Sequence, residues 1–151
     1  MSTNAYADWG AEAYDVFVPG ADLTNFVGHA VYLVSSELQL LSDTDQATTQ
    51  TIYGAGVLLE GAPDEVGAQC RVITAGRVRA IAGTGGVAAG DTVCPEFSAT
   101  AANKGRFIAR TTAEFTDADF EWGTAMTAAS AGGEFLLELR RRMVQLDGTS
   151  P

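Results

Sequence analysis

Ile52-Tyr53-Gly54-Ala55-Gly56-Val57-Leu58-Leu59-Glu60-Gly61-Ala62-Pro63 and, after a short polar link, Ala68-Gln69-Cys70-Arg71-Val72-Ile73-Thr74-Ala75-Gly76-Arg77-Val78-Arg79-Ala80-Ile81 decide the fold class. The pair reads as three short apolar or alternating runs punctuated by Gly and Pro, the pattern of antiparallel strands joined by tight turns. In Arg77 to Ile81 the arginines share one face and Val78 and Ala80 the other, as a half-buried strand requires.

Working outward, the same pattern returns near the C-terminus. Phe120-Glu121-Trp122-Gly123-Thr124-Ala125 leads through an Ala-rich turn to Glu134-Phe135-Leu136-Leu137-Glu138-Leu139, whose alternation gives a last strand with one apolar face. Gly56 and Gly123 correspond at a spacing of 67 residues, and Gly28-His29-Ala30-Val31 corresponds to Gly90-Asp91-Thr92-Val93 at a spacing of 62. Two degenerate copies of one β unit account for this, and so does chance, because Gly and Ala are abundant. Further strands are expected over 13–18, 29–34, 37–41, 91–95 and 105–111, with Ser35-Ser36 as a turn. Leu23 to Tyr32 and Thr124 to Ala131 are the stretches that allow a short helix. The expectation is an all-β domain, a small barrel or sandwich over 21–142, with an extended N-terminal arm, 1–20, and a tail, 143–151, where the pattern is lost.

A chain of 151 residues, 46% hydrophobic, with mean hydropathy +0.07, is long enough for one domain with a real core. No apolar run approaches the ~20 residues a membrane helix needs, and residues 1–20 lack the basic and apolar regions of a cleaved signal. Nine Lys and Arg against 19 Asp and Glu give a formal charge of −10, which opposes nucleic acid and anionic membranes as partners and favours protein. The one basic cluster, Arg140-Arg141-Arg142, is expected to be solvated.

Chemistry has few candidates. His29 is the only histidine and stands beside no nucleophile motif, so a structural role is expected. Asp43/Asp45 and Asp117/Asp119 have a calcium-loop spacing without the Gly and terminal Glu that complete such a loop. Gly83 to Gly90 lacks the Lys and the following helix of a phosphate loop. Cys70 and Cys94 sit in apolar strands and are expected to be reduced and buried. No catalytic, cofactor or metal residues are assigned. Tyr6, Trp9, Tyr14 and Phe17 place four of the thirteen aromatics in the arm, as a contact surface or as packing on the body.

The order of motifs resembles the small decoration, or cement, proteins of tailed-bacteriophage capsids. They are Gly20-Ala21-Asp22-Leu23 with Phe26-Val27-Gly28 and Ala30-Val31-Tyr32-Leu33, then Tyr53 to Pro63, Cys70 to Gly83, Val87 to Pro95, and Trp122 to Leu139. The resemblance covers roughly residues 20–140. It implies a β-barrel-like, often trimeric protein on the outer surface of the head, with the major capsid protein as partner. A non-enzymatic ligand- or carbohydrate-binding β module is the alternative, and it would want Trp or Tyr lining a cleft.

Overall fold

The computed structural model describes residues 11–40, 53–96, 98–110 and 121–142. Nine strands lie in them: β1 (Ala11–Phe17), β2 (Ala30–Val34), β3 (Glu37–Gln39), β4 (Tyr53–Glu60), β5 (Cys70–Ile81), β6 (Thr92–Pro95), β7 (Phe107–Ala109), β8 (Glu121–Ala125) and β9 (Glu134–Arg142). One short 3₁₀ turn, Ala101–Asn103, is the helical element there. All strand pairs are antiparallel, in the order β3-β2-β4-β5-β9-β8-β6-β7, with β1 added on β5. The protein is all-β, and its sheet curls into a barrel-like body.

Three expectations change. The helix allowed over 23–32 is a series of turns ending at Gly28 (φ +87), because Ala30, Val31 and Tyr32 are taken up by pairing with Val57, Gly56 and Gly54. The helix allowed from Thr124 is the end of β8 followed by an irregular link, since Thr124 and Ala125 pair with Glu138 and Leu137. Tertiary pairing overrides a weak local propensity in both. The runs on either side of Gly76 are a single twelve-residue strand, which passes the glycine at φ +97. The expected loop over 42–51 and the tail over 143–151 lie outside the described residues.

The two glycine spacings mark a true repeat. Val31 pairs with Gly56, and 62 and 67 residues further on Val93 pairs with Gly123. Gly28 N–H donates to Leu58 O and Leu58 N–H to His29 O; Gly90 N–H donates to Ala125 O and Ala125 N–H to Asp91 O, all within 2.7–2.9 Å. Gly28 and Gly90 share the left-handed conformation (φ +87 and +93) that these turns need. Every strand has its counterpart: β2 and β6, β3 and β7, β4 and β8, the first half of β5 and β9, and β1 and the second half of β5. Thus Phe17 pairs with Cys70 as Ala80 pairs with Phe135, and Asp15 with Val72 as Val78 with Leu137.

Each unit is a ring of five strands. In the first, β1 pairs β5, β5 pairs β4, β4 pairs β2, β2 pairs β3, and Pro19, just beyond β1, bridges back to Leu38 of β3. In the second, Ala82, just beyond β5, closes on Phe107 of β7 in the same parallel sense. Gly20 N–H to Leu38 O (2.8 Å) and Gly83 N–H to Phe107 O (2.6 Å) seal the two closures. Strand β5 belongs to both rings, ending one and starting the other.

The rings have separate fillings. Leu23, Val31, Leu38, Ala55, Leu58, Ala62, Cys70 and Val72 fill the first, with Phe17 packed against them. Their counterparts Val87, Val93, Phe107, Trp122, Ala125, Phe135 and Leu137 belong to the second cluster, with the partly buried Ala129 packed against it. That cluster also takes in Ala30, Tyr32, Val57 and Ile73, which point the other way from the first ring. The second unit is therefore built against the outside of the first.

Candidate interaction surface

Residues 11–20, the second half of the expected arm 1–20, are part of the first ring, while residues 1–10 lie outside the described residues. Strand β1 pairs with β5 along its length, Phe17 packs on the first core, and Pro19 is buried in the ring closure. The physical reason lies in the repeat: the second ring borrows the end of β5 as its opening strand, and the first ring needs β1 for that place. Tyr6 and Trp9 lie outside the described residues. Phe17 and Tyr14 are on opposite faces of β1, so these two do not share one surface.

The outward face of β1 is apolar. Tyr14, Val16 and Val18 are 55%, 49% and 50% exposed and, two residues apart, share one side of the strand. The Arg71 guanidinium lies 5.4 Å from the centre of the Tyr14 ring and also reaches Glu60 at 3.6 Å. The counterparts of Tyr14 and Val16 in the second ring are Arg77 and Arg79, both exposed, with Arg79 paired to Glu134 at 2.9 Å. Equivalent backbone positions thus carry charge in one ring and apolar side chains in the other. Three such side chains in a row make a contiguous exposed apolar strip rather than scattered exposed apolar residues.

His29 is a structural residue that ties the units together. It is buried, meets Phe26 edge-on at 5.3 Å, and its Nδ1–H donates to the Lys104 carbonyl oxygen at 2.6 Å. Next to it, Ala30 N–H donates to Gly105 O at 2.7 Å, and Ile81 N–H to Gly28 O at 3.1 Å. Burial, aided by the positive charge of Arg106, holds the imidazole below its ordinary pKa against the opposing Lys104 hydrogen bond.

Cys70 and Cys94 are free thiols, both buried, and burial pushes the Cys70 thiol up from its ordinary pKa. A buried, undissociated thiol is a poor nucleophile. Trp122 is 1% exposed, packed between Tyr32 and Phe107 at ring-centre distances of 5.6 and 5.9 Å, so its ring offers no platform to a sugar. Arg140 pairs with Glu138 at 2.9 Å on the exposed end of β9. Among the described residues no group of three or more His, Cys, Asp and Glu side chains is placed to hold a metal ion; Asp43, Asp45, Asp117 and Asp119 lie outside them. No helix among them is long and apolar enough to cross a membrane.

The sequence offered a strand over 13–18 and Tyr14 as a contact residue, but not the side that Tyr14 shares with Val16 and Val18, because aromatics among small and acidic residues leave no clean alternation there. The signal was the pairing of Tyr14-Asp15-Val16-Phe17-Val18 with the glycine-punctuated turn at Pro19-Gly20, repeated at Ile81-Ala82-Gly83. No family model and no curated protein sequence matches the chain.

Proposed function

We propose that the protein is a capsid decoration, or cement, protein of a tailed bacteriophage, seated on the outer surface of the icosahedral head. The observation that carries this reading is the outward apolar face of β1 on an acidic body of two fused rings. A decoration protein needs a compact body, a surface that binds protein, and a charge that keeps it away from packaged DNA; the fused rings, the exposed apolar strip on β1 and the net charge of −10 support this reading. The order of motifs that resembles such proteins runs through both rings. The partner is the major capsid protein, and the decoration protein self-associates on the head, with a trimer favoured. Tyr14, together with Tyr6 and Trp9, supplies contact side chains, while Phe17 is committed to the first core.

Co-sedimentation of the purified protein with undecorated heads tests the proposal. Saturable binding that raises the temperature at which heads release their genome supports it. Failure to bind at any concentration sinks it, whatever else the protein does.

A further inference from the structure

The contact that joins the two rings has, among the described residues, uncovered counterparts at the Gly90 turn and at Val18. Within the molecule, Gly28 of the first ring meets Ile81 of the second: Ile81 N–H donates to Gly28 O at 3.1 Å, and Ile81 Cγ1 lies 2.9 Å from where a Gly28 Cβ would stand. By the repeat, Gly90 is the counterpart of Gly28, and Val18 the counterpart of Ile81. Gly90 keeps the left-handed turn, nothing lies within 4 Å of its Cβ position, and Ala88 to Gly90 are exposed. Val18, at the other end, is 50% exposed. Among the described residues, each chain therefore presents both halves of a contact that it has already made once.

We infer that copies of this chain associate head to tail, the Gly90 turn of one copy seating against Val18 and the neighbouring outward face of β1 of the next. The occupant is a second copy because the chain itself shows the complementary surface: the turn after Ala88 is the structural counterpart of the turn that covers Ile81. The contact is weaker than the internal one. Where the first ring presents Ala30, Val57 and Ile73 to its neighbour, the second presents Thr92, Thr124 and Glu138, so less apolar surface leaves water. Association is consequently reversible, and being heterologous it closes into a ring or runs on as a chain of copies. The inference rests on the repeat rather than on the capsid reading; both draw on the outward face of β1, but sedimentation and cross-linking use the free protein alone, so either can fail without the other.

Sedimentation velocity on the full chain across a concentration series, followed by thiol cross-linking with a short bis-maleimide, tests it. Val18→Cys mixed with Ala89→Cys is expected to give a cross-linked dimer, while either variant alone gives no more than wild type, whose two thiols are buried. Val18→Glu and, separately, Ala89→Glu should each abolish the concentration dependence with an unchanged circular dichroism spectrum; both sites are exposed, so folding is retained. Dimer from Val18→Cys alone would mean that β1 faces itself in a two-fold contact, and overturns the head-to-tail arrangement. A sedimentation coefficient independent of concentration overturns it as well.

Discussion

The two rings share a backbone and differ in what fills and covers it. At four matched inward positions the first ring carries Val31, Leu38, Ala55 and Cys70, and the second Val93, Phe107, Trp122 and Phe135. The small set suffices for the first ring. In the second, Trp122 reaches beyond its own ring to Tyr32 and to Gly54, whose absent Cβ would stand 2.7 Å from the indole. The difference separates two jobs that one core position can do: fill a ring, or fill a ring and also clamp it to its neighbour. The outward positions reverse the pattern, with Ala30, Val57 and Ile73 apolar and covered in the first ring and Thr92, Thr124 and Glu138 polar in the second. A polar outer face leaves less apolar surface for a further unit to bury, and in this pair of rings the second carries the polar face.

The sharpest way to break the comparison is Trp122→Ala. Removing a buried indole that serves both the ring and the junction should cost about 3–5 kcal/mol in urea-induced unfolding. A loss under about 1.5 kcal/mol would mean that the second ring does not lean on the first through this side chain. Next in size are Gly123→Ala and Gly56→Ala, at the matched points where strands crowd closest. A Cβ on Gly123 would run into the Glu138 carbonyl oxygen and one on Gly56 into that of Ile73, and Gly56 also holds φ +151. Each substitution should cost about 2 kcal/mol or more, because a backbone carbonyl cannot move aside without breaking its strand pair. A large loss at one and none at the other would show that the rings are less alike than their pairing.

The outer faces give a smaller and more diagnostic pair. Val57→Thr places a hydroxyl in the junction, where it costs about 1–2 kcal/mol unless it finds a partner. Thr124→Val, the reverse change at the matched exposed position, should stay within about 0.5 kcal/mol. Equal effects from the two would remove the distinction between a covered and an open outer face.

The glycines made this architecture partly legible. The spacings of 62 and 67 are those of the repeat because backbone geometry favours glycine at all four positions, through a positive φ at Gly28, Gly90 and Gly56 and through the Glu138 carbonyl that a Cβ on Gly123 would meet. The fillings were not legible: Leu38 and Phe107, or Cys70 and Phe135, are matched in space but not in kind, since a core asks for volume and apolarity rather than identity. The sharing of β5 also escaped, as Gly76 reads like a turn and proves to be a bend within one strand. For the surface, the sequence showed an aromatic segment without showing that β1 splits it, with Phe17 turned in and Tyr14 out. Trp122, beside its glycine, gave no hint that it would be enclosed.

The smallest expected effect concerns the seam at His29, whose counterpart in the second ring is Asp91. Asp91 caps its own turn, its Oδ2 accepting from Ala88 N–H at 2.8 Å, and faces no further ring. His29 instead reaches across to Lys104 O with the neutral imidazole's single N–H. Burial, the main cause, lowers its pKa in the folded state below the ordinary 6.5, so between the two values the unfolded chain binds the extra proton. Stability due to this group is therefore complete above pH 6.5 and falls as the pH drops through 6.5 towards the folded value, below which it levels off. Each unit of depression corresponds to about 1.4 kcal/mol. Urea unfolding of the wild type between pH 7.5 and 5, a window set by the ordinary histidine pKa, should show this decline, and His29→Gln should flatten it while remaining folded at neutral pH. Parallel slopes in the two proteins would place the acid sensitivity in carboxylates rather than at the seam, and the histidine would then be no more tied to the second ring than Asp91 is to a third.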